Sequence, residues 1–187
     1  MSDKRGIITG HFITHWGVPN DIRPLRVRGI LEFAILEFAP RGSRMTWRYA
    51  TNGMSSCNQS HPNEHVKVRA ELYACTKHKA AWVDDLLAAI ASYPQDYATY
   101  LAECDTINVG QPIDRKSSCY TGVLLAPPDP ATLGLVAGLC DDVLVHQIVG
   151  LVPAEVRFAE EHGGKSLWQK LMNKGQLVVD DTRTSIV

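Results

Sequence analysis

Trp47-Arg-Tyr-Ala-Thr-Asn-Gly-Met-Ser55 changes character halfway along, and the change says how this part of the chain folds. From Met45 to Thr51 the residues alternate. Met45, Trp47, Tyr49 and Thr51 share one face, and Thr46, Arg48 and Ala50 the other, the spacing of a half-buried strand. Trp47 and Tyr49 are then anchors in a core rather than platforms for a ligand. Asn52-Gly53 follows at once, and both residues tolerate positive φ, so a tight turn is expected there. After a polar stretch from Ser55 to Glu64, alternation returns. Val66, Val68, Ala70, Leu72 and Ala74 point one way, and Lys67, Arg69, Glu71 and Tyr73 the other. A strand–turn–strand unit around Asn52-Gly53 could supply an exposed sheet edge.

Upstream, Leu25 to Phe38 is rich in Ile, Leu, Phe and Val and contains a near-duplication, Leu31-Glu-Phe-Ala and Leu36-Glu-Phe-Ala. It reads as one long strand or a bent pair. Ile8, Phe12, Ile13 and Trp16 have helical spacing. Downstream, Val83, Leu86, Leu87 and Ile90 mark a helix over 79–93 that Pro94 should stop. Tyr97 to Glu103 is a candidate short helix, and Thr106 to Pro112 a loop around Gly110. Tyr120 to Leu125 and Val143 to Leu151 read as strands. Pro153 opens a helix that Gly163-Gly164 ends, Glu155 complements its dipole, and Ser166 is a candidate cap for a last helix carrying Leu167, Trp168, Leu171 and Met172. Helices and strands do not alternate as βαβα. The expectation is an α+β fold: a single domain over 1–187 with a mixed, mostly antiparallel sheet flanked by helices, a core at about 28–172 and a loose tail over 176–187.

The chain of 187 residues is 45% apolar and 21% charged, an ordinary globular composition, and its net charge of −1 names no nucleic acid or membrane. Residues 1–80 hold 12 Lys/Arg against 6 Asp/Glu, and residues 81–187 hold 7 against 14. That asymmetry is either a basic surface or two halves that interleave in space. No wholly apolar run is long enough to cross a bilayer, and the N-terminus lacks an apolar signal region. Cys57, Cys75, Cys104, Cys119 and Cys140 are odd in number and form no C-x-x-C pair. A cytoplasmic protein with reduced thiols and no metal or cofactor is expected.

Several motifs offer chemistry and fall short. His61-Pro-Asn-Glu-His65 matches H-x-x-E-H, but the motif grips a metal only on a helix, and Pro62 beside an alternating strand argues for a loop. Gly164-Lys165-Ser166 resembles the end of a phosphate loop, yet Ala159 stands where its first glycine belongs, and it follows a helix. His11 and His15 lack a third ligand. Cys119 with His146 and Asp141 or Asp142 is a thiol–imidazole combination that any chain with 5 Cys and 7 His offers. Glu71 is either a solvated strand residue or one held by a hydrogen bond near the Asn52-Gly53 turn. A small hydrolase-like cleft enzyme using Cys119 or Glu71 is the alternative to a non-catalytic domain.

Trp47 to Ser55 resembles the signature of the suppressor-of-fused domain family, an aromatic strand running into A-T-N-G-hydrophobic-S. Glu71-Leu72-Tyr73 is similar to that family's next strand, Val83 to Pro94 to its helix, Ile107 to Pro112 to its turn, and Val123 to Pro128 to a strand end. Ile148 to Glu155, Gly163 and Leu167 to Leu171 resemble its closing segment, and the match spans about 28–172. The resemblance implies an α+β fold and protein binding without catalytic residues. Animal members clamp a peptide as an added strand within a larger, two-part protein, of which this chain corresponds to the first part. Short bacterial members imply a cytosolic immunity protein, here expected as a monomer, that neutralises a cognate toxin. The partner-binding residues it implies are Thr51, Asn52, Gly53, Met54, Ser55, Glu71 and Gly110, with no catalytic or metal-ligating residue and no nucleic-acid or membrane partner.

Overall fold

The computed structural model describes residues 4–27, 31–113, 119–128, 143–179 and 183–187. Helix α1 (Lys4–Trp16) leads into strand β1 (Asp21–Val27), followed by β2 (Leu31–Phe38), β3 (Trp47–Asn52), a 3₁₀ turn at Met54–Ser56 and β4 (Arg69–Thr76). Helix α2 (Trp82–Asp96) precedes β5 (Thr106–Asn108), β6 (Gly122–Ala126) and β7 (Val143–Leu151). Helices α3 (Pro153–His162) and α4 (Gly164–Asn173) follow. One seven-stranded sheet runs in the order β1-β2-β3-β4-β7-β6-β5. The β4–β7 pair is parallel and every other pair is antiparallel. The expected mixed, mostly antiparallel sheet flanked by helices is what forms.

The near-duplication in β2 explains why the sheet is covered twice. A strand has a period of two, so copies five residues apart fall on opposite faces. Phe33 accordingly packs with Tyr49, Leu72, Val83, Leu87 and Ile90 under α2. Phe38 packs on the other side with Ile8, Phe12, Trp16 and Tyr73 under α1. Farther along that second face, Leu124, Val149 and Leu151 bury against Val156, Leu167 and Leu171 of α3 and α4. The result is helix, sheet, helices. With both faces covered, β3 and β4 are buried at nearly every position, not half-buried as alternation alone implies.

Leu25 to Phe38 resolves into the antiparallel pair β1 and β2, with Val27 opposite Leu31. Residues 28–30, which join the pair, lie outside the described residues. Pro24 sits in β1, an edge strand, where a residue without an N–H is tolerated. Arg23 pins the same edge. It reaches Asp84 of α2 at 2.5 and 2.8 Å and Glu37 of β2 at 3.0 Å. Lys79 holds the other Glu37 oxygen at 2.7 Å.

Other expectations change. Pro94 does not stop α2, which runs on to Asp96. In the last turn a proline forfeits one hydrogen bond, and its ring is buried instead. Residues 97–103 are turns and irregular chain rather than a helix, with Ala98, and Cys104 just beyond, at positive φ. Part of the expected loop at 106–112 is the edge strand β5. Ser166 does not cap α4; the helix begins at Gly164, whose Cα lies so close to the Cys104 carbonyl that a Cβ would stand 1.9 Å from its oxygen.

The tail expected to be loose is tied down at its described residues. Val179 bridges to Thr76 and donates to the Cys75 carbonyl at 2.9 Å. The Arg183 guanidinium, only 4% exposed, bonds the wholly buried Glu155 and the Gly150 carbonyl, over the Tyr120 ring.

Candidate functional site

Glu71 organises the signature stretch. It leaves β4 toward the α1 face and is wholly buried. Its Oε2 accepts from Thr51 Oγ1 at 2.6 Å. Its Oε1 accepts from the Gly53 and Ser55 amides at 2.9 and 3.0 Å and from Ser55 Oγ at 2.7 Å. Four donors on one carboxylate satisfy a buried charge that would otherwise be costly. Thr51 passes the connection on by accepting from the Leu72 amide at 2.8 Å. Of the two readings of Glu71, the solvated strand residue is overturned and the residue bonded beside Asn52-Gly53 is found.

The backbone at this corner is shaped to fit. Gly53 has φ 109°, a left-handed conformation suited to glycine, and a Cβ there would lie 2.6 Å from Arg5 Nε. Rather than closing a hairpin, Gly53 turns the chain into the 3₁₀ turn, where Ser56 donates back to its carbonyl. Asn52 Nδ2 donates to Thr9 Oγ1 of α1 at 2.6 Å, fastening the first helix to the corner.

Thr51, Asn52, Met54, Ser55 and Glu71 are each at most 7% exposed, and Gly53 is buried with them. The corner brings these six expected residues together and faces them inward. Gly110, the seventh, is exposed on the far side of the sheet order, just after β5. β3 and β4 lie inside the sheet, so the unit around Asn52-Gly53 supplies no free edge. The edges are β1 and β5.

One groove runs along the β5 edge and reaches the end of β1. Val27 at the end of β1, the outer side of α2, and Ile107 to Val109 along β5 line a cleft of about 450 Å³. Small residues, Ala88, Ala89 and Ser92, leave the room; Asp85, Asp96 and Tyr97 stand around it. A smaller pocket of about 80 Å³ beyond it is walled by Val109, Gln111 and Pro112, on either side of Gly110. Val109 N–H donates to the Thr121 carbonyl, and the β5–β6 register is antiparallel. Alternate residues of such a ladder bond inward. The Ile107 and Val109 backbones therefore face β6, and those of Thr106 and Asn108 face away from it. Sequence reading missed this groove, although Asp85, Ala89, Ser92 and Asp96 mark it at i, i+4, i+7 and i+11.

The other candidates are separate. His61 and His65 lie in a loop, where His61 Nδ1 accepts from the Asn63 amide and the ring packs on Tyr100. Gly164-Lys165-Ser166 begins a helix that follows another helix. The His11 and His15 rings pack tilted at 53° with centroids 4.6 Å apart, and burial together with the neighbouring ring lowers the His11 pKa. Cys119 Sγ contacts the Arg183 carbonyl at 3.8 Å. His146 is wholly buried, and burial pushes its pKa down to about 4, so it is neutral at pH 7. Asp141 and Asp142 lie outside the described residues.

Comparison with known proteins gives a consistent result. The family model described as Suppressor of fused protein (SUFU) matches residues 30–184. No curated protein matches the chain significantly. Among solved structures, a SUFU homologue from Neisseria gonorrhoeae is similar with a TM-score of 0.77 at 20% identity, over 100% of this chain and 98% of that one. A chain of the Sufu–Fu complex is similar at 0.72 and 18%, over 97% and 91%. Drosophila Suppressor of Fused is similar at 0.61 and 22%, over 83% of this chain but 42% of its own. At these identities the structures speak for the fold, and the family model carries the assignment. The chain belongs to the suppressor-of-fused family.

Proposed function

We propose that this chain is a non-catalytic domain that binds another protein by accepting an extended segment of it as a strand added to β5. The observation that carries this reading is the outward-facing backbone of Thr106 and Asn108 beside an open groove against α2. Unpaired strand groups are a template for β-augmentation, in which main-chain hydrogen bonds give affinity and side-chain pockets give selectivity. Membership of the family supports it, as does a similar chain that forms a complex named Sufu–Fu. The absence of catalysis is part of the proposal. Its support is that the Glu71 carboxylate is already occupied by four donors from its own chain.

Within this reading Gly110 lies at the rim of the binding face. Thr51, Asn52, Gly53, Met54, Ser55 and Glu71 act on binding through the fold, by fixing the strands and α1. We further propose a cytoplasmic, monomeric immunity-type role in which the partner is a toxin. No helix of the described residues is long and apolar enough to cross a membrane. The test is capture from the native cell with the tagged full chain, together with co-expression beside any toxin gene adjacent to its own. A stoichiometric protein partner and restored growth are expected. Recovery of no stoichiometric protein sinks the binding reading, and a partner that is not toxic sinks the immunity role alone.

A further inference from the structure

The corner at Asn52-Gly53 holds a chemistry that the protein-binding reading does not use. Asn52 is the one asparagine of the chain that is followed by glycine. A glycine has no side chain to crowd its own nitrogen, so in this pair that nitrogen has access to the asparagine side chain. Once the Gly53 amide loses its proton to a base in solution, its nitrogen bonds to Asn52 Cγ. The Cγ–Nδ2 bond then breaks, and ammonia departs carrying a proton back from that base. Water opens the resulting five-membered imide at either carbonyl. The product is aspartate at 52, or isoaspartate with an extra methylene in the main chain. The net change is water in and ammonia out.

The fold opposes each part of the first step. The Gly53 N–H donates to Glu71 Oε1 at 2.9 Å, and taking its proton sets an anion against a wholly buried carboxylate. Asn52 Nδ2 is tied to Thr9 Oγ1 of α1 at 2.6 Å, so the side chain is not free to swing onto the nitrogen beside it. Asn52 also closes β3 and pairs with Ala34 of β2. Ring closure needs that nitrogen level with Cβ, which an extended backbone does not give. Asn52 Oδ1 is buried and has no hydrogen-bond partner among the described residues. No donor therefore stands ready for the negative charge that this oxygen gains on attack.

We infer that Asn52 is a modification site held shut by the fold, one that opens when α1 lifts Thr9 from the corner. The conversion is then one-way. Aspartate at 52 lacks the Nδ2 donor for Thr9 and puts a second negative charge next to an amide that holds Glu71. Isoaspartate lengthens the main chain just before Gly53 and Ser55, the two residues whose amides meet that carboxylate. A chain once modified has lost the contacts that closed the site, and so stays marked as one that has opened.

The test follows Asn52 and the exposed Asn63 in the full chain at mildly alkaline pH, by peptide mapping with mass spectrometry that resolves isoaspartate. In urea, Asn52 should convert well ahead of Asn63, whose successor is Glu64. In the folded chain it should be slower than in urea by at least about a hundredfold, as expected of a site reached only through rare opening. Thr9→Val and Glu71→Gln should each speed Asn52 by at least about tenfold and leave Asn63 unchanged. Leu87→Ala, in the core on the other face of the sheet, separates local from global opening. Brought by urea to the stability of Thr9→Val, it should convert Asn52 clearly more slowly. Equal rates at equal stability overturn the inference, as does an Asn52 that converts as fast in the folded chain as in urea. Isoaspartyl chain that keeps the melting curve of the parent overturns the one-way step.

Discussion

At the scale of single residues, two buried titratable groups behave in opposite ways. Glu71 has more partners than a neutral amide could use. Gln has one acceptor oxygen: its NH₂ would either face the Gly53 and Ser55 amides, donor against donor, or face Thr51 Oγ1, whose proton would have to turn from the short bond to the carboxylate to the Leu72 carbonyl at 3.4 Å. Glu71→Gln should therefore cost about 2–4 kcal/mol, read as a lower urea midpoint at unchanged slope. A variant as stable as the parent would show that the four contacts contribute little. Among the described residues neither His146 ring nitrogen makes a well-formed hydrogen bond, and the nearby Leu101 backbone, which favours the proton, is outweighed by burial. Burial holds its pKa at about 4 in the folded chain against 6.5 when free. Between those values the unfolded state binds the proton and the folded state does not, so this contribution is present above pH 6.5 and is lost as pH falls to 4. His146→Leu should flatten the stability of the chain across that window by up to about 3 kcal/mol relative to the parent. Urea titrations of both proteins at pH 7, 5.5 and 4 would measure it, and parallel curves would contradict it.

At the scale of elements, the edge strand β5 makes a sharp prediction. Asn108→Pro removes an N–H that points away from β6 and leaves the inward bonds of Val109 in place. It should lower stability by only about 1 kcal/mol, in part because the Asn108 side chain also accepts from the Gly110 amide. Partner binding should fall at least tenfold in the same variant, measured by capture or titration. Unchanged binding would place the partner elsewhere. That β5 exists at all was hard to read from the sequence. Thr106-Ile-Asn108 is three residues long, too short for alternation to register, and its pairing with β6 depends on contacts distant in the chain. β7 was legible to the residue because nine residues of mostly apolar character carry a strong signal. Helix α2 was legible in its buried face and not in its end, since a proline in the last turn costs little once its ring is buried. The Glu71 corner was half legible. An Asn-Gly after a strand announces a special backbone, but four donors converging on one carboxylate need the two strands side by side.

At the scale of the whole molecule, closure depends on a contact between segments that sequence reading kept apart. Glu155 reads locally, as an acidic residue in the first turn of α3, and its Oε2 does accept from the Val152 amide at 3.2 Å. It also meets Arg183, 28 residues on, with both side chains at most 4% exposed. The tail thus ties the end of β4, through Val179, to the end of β7 and the start of α3, through Arg183. β4 and β7 are the parallel pair at the centre of the sheet, so the strap crosses where the two halves of the chain join. Removing one partner of a buried pair strands the other charge, which typically costs about 3–5 kcal/mol. Arg183→Met should cost that much, and Glu155→Gln somewhat less, because the amide still accepts from Val152. The double variant should cost clearly less than the two single losses added together, since neither charge is then left alone. Strict additivity in that cycle, measured by urea unfolding at pH 7, would mean that the pair is not coupled. The tail would then be an appendage, and its removal should leave the cooperativity of unfolding unchanged.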